Sequence, residues 1–172
     1  MKRYADLLAA AQARVRELMP WEVAARLQRP DAPLLLDVRE PAEFAQARIA
    51  GSVNVPRGVL EAACEWDYDD TEPALAGGRE RPIVVVCRSG QRSLLAADLM
   101  TAMGFADVVS MKTGVRGWND AELPLVEASG DRVDPDRAQA LLAARVRADQ
   151  RRPQAAVRPA VQADAAGPAS RP

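Results

Sequence analysis

Apolar positions along the chain change period several times, and those changes predict its elements. From Lys2 to Leu18 the residues Leu7, Leu8, Ala11, Val15 and Leu18 recur at helical spacing among charged neighbours, which predicts one amphipathic helix. Pro20 suits the first turn of a second helix through Val23, Ala24 and Leu27, ended by Pro30 and Pro33. Leu34 to Val38 is a short apolar run expected as a buried strand, with a helical turn over Pro41 to Ala47 and another short strand at Ser52 to Val55. The run Pro82-Ile83-Val84-Val85-Val86, β-branched after its proline, predicts a strand buried on both faces that ends at Cys87. A helix over Ser93 to Met103, stopped at Gly104, leads to a strand at Asp107 to Met111 and a turn from Gly114 into a short helix around Trp118. Ala138, Leu141, Leu142 and Val146 predict an outer helix between Asp134 and Ala148.

Strands alternating with helices point to an α/β fold: a mostly parallel central sheet flanked by helices on both faces. The expected organisation is an N-terminal helix (1–19), a main domain (20–126), a helical extension (127–150) and a tail (151–172). The tail is rich in Ala, Pro and Arg without periodicity, so disorder is expected there.

Composition narrows the function. Lys and Arg total 23 against 24 acidic residues, so there is no basic excess and nucleic acid is not an expected partner. Charges interrupt the N-terminal apolar pattern, and no run approaches the ~20 apolar residues of a membrane span, so a cytoplasmic location without membrane contact is expected. The chain has two cysteines and no histidine, which leaves no imidazole as general base or metal ligand. Neither a metal nor a cofactor is expected.

Chemistry concentrates in Cys87-Arg88-Ser89-Gly90-Gln91-Arg92-Ser93, which joins the strongest strand to a helix. A thiol at the carboxyl end of a parallel sheet faces the edge where such sheets bind ligands, and the unpaired amides of the following helix can turn toward an anion. Helix N-termini and nearby arginines favour the thiolate, so Cys87 is expected to be nucleophilic without a base. Arg88 and Arg92 add positive charge, Gly90 permits close backbone approach, and Ser89 and Ser93 bring hydroxyls. This reading requires amides that turn inward and a sulfur that solvent reaches. Arg92 is expected to pair with Asp37 or Glu43, which would support the loop. Cys64 lies among acidic residues and is read as an inert thiol, with a resolving role as the alternative; the acidic stretch Glu65 to Glu72 is read as a solvated loop.

Four ordered blocks then resemble the rhodanese superfamily: Leu35 to Phe44, Ile49 to Pro56, the loop Cys87 to Ser93, and Gly114-Val115-Arg116-Gly117-Trp118. Related cell-cycle phosphatases and arsenate reductases separate Cys and Arg by five residues, whereas Arg88, Ser89, Gly90 and Gln91 make four here, a loop that suits a sulfur atom better than a phosphate. Family members often carry Gly-His where this chain has Ala47-Arg48. The resemblance implies a rhodanese-like fold and a sulfurtransferase that moves sulfane sulfur from thiosulfate or a related anionic donor to cyanide or a thiol through a persulfide on Cys87. A protein acceptor, or a persulfide-relay or protein-binding module with little turnover of its own, is the alternative.

Overall fold

A computed structural model describes residues 1–152. Its centre is a five-stranded sheet in the order β1-β5-β4-β2-β3, with β1 Glu17–Leu18, β2 Leu34–Asp37, β3 Val53–Asn54, β4 Ile83–Val86 and β5 Val108–Met111. Every pairing is parallel, so all strands point their carboxyl ends at one edge. The helices are α1 Tyr4–Gln12, α2 Pro20–Leu27, α3 Pro41–Gln46, α4 Leu60–Ala63, α5 Pro73–Ala76, α6 Gln91–Ala102, α7 Gly114–Asp120 and α8 Pro135–Leu142.

The two-residue period of a strand divides the core into two layers. Leu34, Leu36, Ile83, Val85 and Val108 face one side, where they meet Ala11 of α1, Leu60 of α4, Leu75 of α5 and Leu94, Ala97 and Met100 of α6. Leu35, Val84, Val86, Val109 and Met111 face the other, against Val23 of α2, Val115 and Trp118 of α7, and Ala138 and Leu142 of α8. The α/β layering expected from the sequence is therefore present, with helices on both faces. Trp118 plugs the second layer at 4% exposure and donates its indole N–H to the Pro124 carbonyl at 2.9 Å.

The helix expected over residues 2–18 is divided. Glu17 and Leu18 leave the helix to become an edge strand paired with Ser110 and Met111, and only Tyr4–Gln12 is helical. Ala11 and Val15 fit a helical stripe, but Leu18 is buried on the opposite sheet face, which a single straight helix does not reach. The outer helix ends at Leu142, and Ala143 already has an extended backbone at ψ 144°. Val133, Ala138 and Leu142 nevertheless belong to the second core layer. From residue 153 onward, the expectation of a disordered tail lies outside the described residues. Among the described residues, no helix is long and apolar enough to cross a membrane.

Candidate active site

Cys87 is the first residue after β4, so its position follows from the strongest strand in the chain. The loop curls through Gly90 at φ +92°, where a Cβ would lie 3.0 Å from the Thr113 amide nitrogen; only glycine takes that backbone without strain. In this conformation the Gly90 N–H turns inward and donates to Cys87 Sγ at 3.2 Å. α6 starts at Gln91, two residues before the expected start, because the left-handed Gly90 serves as its N-cap.

The expectation of an open sulfur is corrected: Cys87 is 1% exposed. It continues the alternation of Ile83 and Val85, so its side chain joins the layer beneath α6 instead of facing solvent. Half of the cradle reading is met, with an amide aimed at the sulfur, while access to Sγ requires its cover to open.

The other loop residues divide by what they touch. Ser93 is fully buried; its hydroxyl donates inward to the Gly90 carbonyl at 3.0 Å and accepts from Ser110 Oγ at 2.9 Å, so it holds the loop from below. Arg88 and Ser89 are half-buried at the rim and Gln91 is exposed. Arg92 pairs with Glu43 through two parallel hydrogen bonds of 2.8 Å each, which ties α6 to α3. Burial pushes the Glu43 carboxyl up, but the Arg92 hydrogen bonds and charge, with help from the Glu40 amide, outweigh it and hold the group below its ordinary value. The hydrogen bond to Glu43 in turn raises Arg92, against the opposing effect of burial.

Asp37 does not reach this pair. Its carboxylate is fully buried and takes Arg39, through Nε at 3.0 Å and Nη2 at 2.7 Å. Arg39 is itself 1% exposed and also donates to the carbonyls of Ala47 at 2.7 Å and Glu43 at 3.3 Å. Asp37 therefore supports the loop only at one remove, by fixing the turn that carries Glu43.

Several contributors were not legible beforehand. The amides of Val115 and Arg116 donate to the carbonyls of Cys87 and Arg88 at 2.8 and 3.0 Å, so the start of α7 anchors the loop backbone. The sequence signal was Gly114, whose φ of +61° and contact with the loop leave no room for a side chain. Tyr4 of α1 stands within electrostatic reach of the site: burial and then the Cys87 charge push its phenol up, and Arg92 opposes them. The Ala143 carbonyl accepts from Arg88 Nη1 at 3.3 Å, which brings the chain after α8 onto the loop.

Arg48, standing where the family often has histidine, places its guanidinium 4.9 Å from the centre of the Phe44 ring and exchanges backbone hydrogen bonds with Val126. Cys64 is fully buried in the first core layer, as an inert thiol would be, and burial above all pushes it up to about 11. Among the described residues, no group of acidic or thiol side chains is arranged to hold a metal.

Comparison with known proteins agrees with this geometry. A mitochondrial protein of Schizosaccharomyces pombe, whose name proposes a thiosulfate sulfurtransferase, is 37% identical over 92 residues, covering 51% of this chain and 63% of that protein. The chain thus spans somewhat under two thirds of that relative. A sulfurtransferase of Allochromatium vinosum is 28% identical over 116 residues, covering 67% of this chain and 99% of the relative. Among solved structures, a Rhodopseudomonas palustris protein of unknown function, described with a tyrosine phosphatase in view, superposes with a TM-score of 0.65 at 26% identity, over 73% of this chain and 95% of that one. The sequence profile of the rhodanese-like domain matches residues 19–121, more than half of the chain, and the protein therefore belongs to the rhodanese-like family.

Proposed function

We propose that the protein is a sulfurtransferase whose Cys87 carries sulfane sulfur as a persulfide, taken from thiosulfate or a related anionic donor. The observation that carries this reading is the Gly90 N–H directed at Cys87 Sγ, at the carboxyl edge of a parallel sheet and ahead of a helix N-terminus. The Cys87 thiolate attacks the outer sulfur of thiosulfate; the Sγ–S bond forms, the donor S–S bond breaks, and sulfite leaves with the electron pair. An acceptor thiolate or cyanide then attacks the terminal sulfur and returns Cys87 as a thiolate. No proton has to move at the reacting sulfur, which suits a site without histidine.

In this scheme the backbone of residues 88–93 holds the anionic sulfur, Arg88 and Arg92 attract the donor, and Ser89 and Gln91 border it. Ser93, Glu43 and Asp37 position the loop. Four residues between Cys87 and Arg92 favour sulfur over phosphate, so the phosphatase idea attached to the Rhodopseudomonas structure does not extend to this loop. The catalytic unit is taken as residues 20–126, with 1–19 and 127–150 as flanking helical segments.

The burial of Cys87 favours a second reading, a relay module that turns over slowly until a protein partner opens the loop. Mass spectrometry after incubation with thiosulfate tests carriage: wild type is expected to gain about 32 Da and Cys87→Ser nothing. An identical mass change in both proteins, or none in either, would end the persulfide reading. Thiocyanate formation from thiosulfate and cyanide separates the two versions, since the enzyme sustains rapid turnover and the relay by itself turns over only slowly.

A further inference from the structure

We infer that the amino-terminal half of α1, Tyr4 to Ala10, is a hinged lid over Cys87 that lifts to let a sulfur donor in; as a control on sulfur transfer, the lid rests on the reading above. Cys87 is 1% exposed and lies in the core layer beneath α6, and Leu8 of α1 packs against that same layer. α1 lies along α6, and Arg14, just past its end, is held by Asp98 midway along α6 through hydrogen bonds of 2.8 and 2.7 Å. The short turn from α1 into β1 reverses the chain, and β1 points its carboxyl end at the edge where Cys87 stands, so α1 comes in from that edge. The charges of Cys87 and Arg92 accordingly both reach the Tyr4 phenol, beside the start of α6.

The two ends of α1 are held very differently. Toward β1, Ala11 and Val15 are buried, Gln12 donates to Glu17 at 3.0 Å, and Glu17 and Leu18 are paired into the sheet. Toward the amino terminus, residues 1–7 are all exposed, and Leu8 and Ala10 are half-buried. Among the described residues, no side chain from Met1 to Ala10 forms a hydrogen bond or ion pair with another element. Lifting this half therefore gives up little more than the seat of one leucine, while Ala11, Arg14 and Val15 hold the pivot, and such weakly held segments open without global unfolding. α1 lies outside residues 19–121, so the lid belongs to the flanking segment and not to the span matched by the family profile.

Iodoacetamide labelling of the native full chain, read by mass spectrometry at each cysteine, tests the lid without requiring sulfur transfer. Leu8→Ala unseats α1 and leaves the loop untouched, so Cys87 is expected to label about fourfold faster than in wild type, the weight of one buried methylene group in the opening equilibrium. Cys64 is expected to stay protected. Tyr4→Ala changes an exposed residue at the mouth and leaves the core intact, so it is expected to shrink the gap between iodoacetamide and a bulky maleimide at Cys87. An unchanged Cys87 rate in Leu8→Ala, an undiminished gap in Tyr4→Ala, or a Cys64 rate raised by the same factor as that of Cys87 overturns the lid. Absence of the thiosulfate adduct on Cys87, with alkylation still governed by Leu8, would instead fault the sulfur-transfer reading, so the two failures are told apart.

Discussion

The Val115 amide donates to the Cys87 carbonyl at 2.8 Å, and this contact exists because Gly114, the residue before it, has no side chain. A Cβ at Gly114 would overlap the Cys87 carbonyl oxygen and come within 2.6 Å of the Arg88 carbon and the Ser89 nitrogen, all backbone atoms of the loop. Its φ of +61° adds a second penalty. Gly114→Ala is expected to cost about 2 kcal/mol or more and to depress the persulfide adduct. Gly104→Ala is the control: φ is +89° there but nothing lies within 4 Å, so the cost should stay near 1 kcal/mol and the adduct should be preserved. Urea unfolding with mass spectrometry of both variants checks the difference; equal losses would remove the anchoring role of α7.

Arg92 and Glu43 form a half-exposed bidentate pair, so its contribution should be modest, about 1 kcal/mol. The sign of its pH dependence follows from Glu43, whose carboxyl is held low in the folded protein. The contribution is complete above the unfolded glutamate value of about 4.3 and is lost as pH falls through the lower folded value. Arg92→Ala should therefore lower the urea midpoint at neutral pH and remove part of the acid-side slope. A wild-type acid slope retained in Arg92→Ala would show that the brace does not hold the loop.

The buried pair is expected to weigh more. Arg39 and Asp37 are both almost fully enclosed, so Arg39→Ala leaves a carboxylate without its cation and removes the five hydrogen bonds of the guanidinium. A loss of about 3–5 kcal/mol is expected by denaturant titration. A loss below about 1 kcal/mol would mean that water enters and solvates Asp37.

What the sequence revealed and what it hid divide along a physical line. Leu34 to Asp37, Ile83 to Val86 and Val108 to Met111 were legible because strands buried on both faces are written as continuous apolar runs. Glu17–Leu18 was not, because a two-residue edge strand is made by its partners Ser110 and Met111 and leaves no period of its own. The loop was legible as chemistry, Cys87 to Ser93 being a poor core segment, yet its depth was not: Cys87 sits under α6 through a strand alternation that carries one residue past the last ladder pair. Arg92 with Glu43 was one of two pairings the charges allowed. Asp37 went elsewhere because Arg39, two residues along, is swallowed by the same turn, and a single arginine gives no sign of burial in one sequence.

Cys64 should respond to alkali. Burial, assisted by Glu65 and Glu61 and opposed by Arg79, raises its thiol from 9.0 to about 11, so the folded state favours the protonated form. The associated stability is complete below the unfolded value and is lost as pH rises from about 9 through 11. Cys64→Ala should flatten that decline, as measured by unfolding midpoints across the interval.

The two thiols are equally hidden in area, at 0% and 1%, yet differ in what hides them. Cys64 caps α4 within the first core layer, so freeing it requires loss of packing around Leu60 and Leu75. Cys87 belongs to the same layer beneath α6 but stands at its edge, one residue beyond β4, where Arg88 and Ser89, the next residues of the loop, are half-buried. Opening a rim is a local event and disrupting a core is close to global unfolding. Iodoacetamide at pH 8 is therefore expected to alkylate Cys87 slowly in the native protein and Cys64 only in urea, with a bulky maleimide much slower than iodoacetamide at Cys87 because the opening is small. Thiosulfate should protect Cys87 and leave Cys64 unaffected. If both cysteines label together, at the rate of global unfolding, then the loop does not open by itself and Cys87 cannot meet a donor in the absence of a partner.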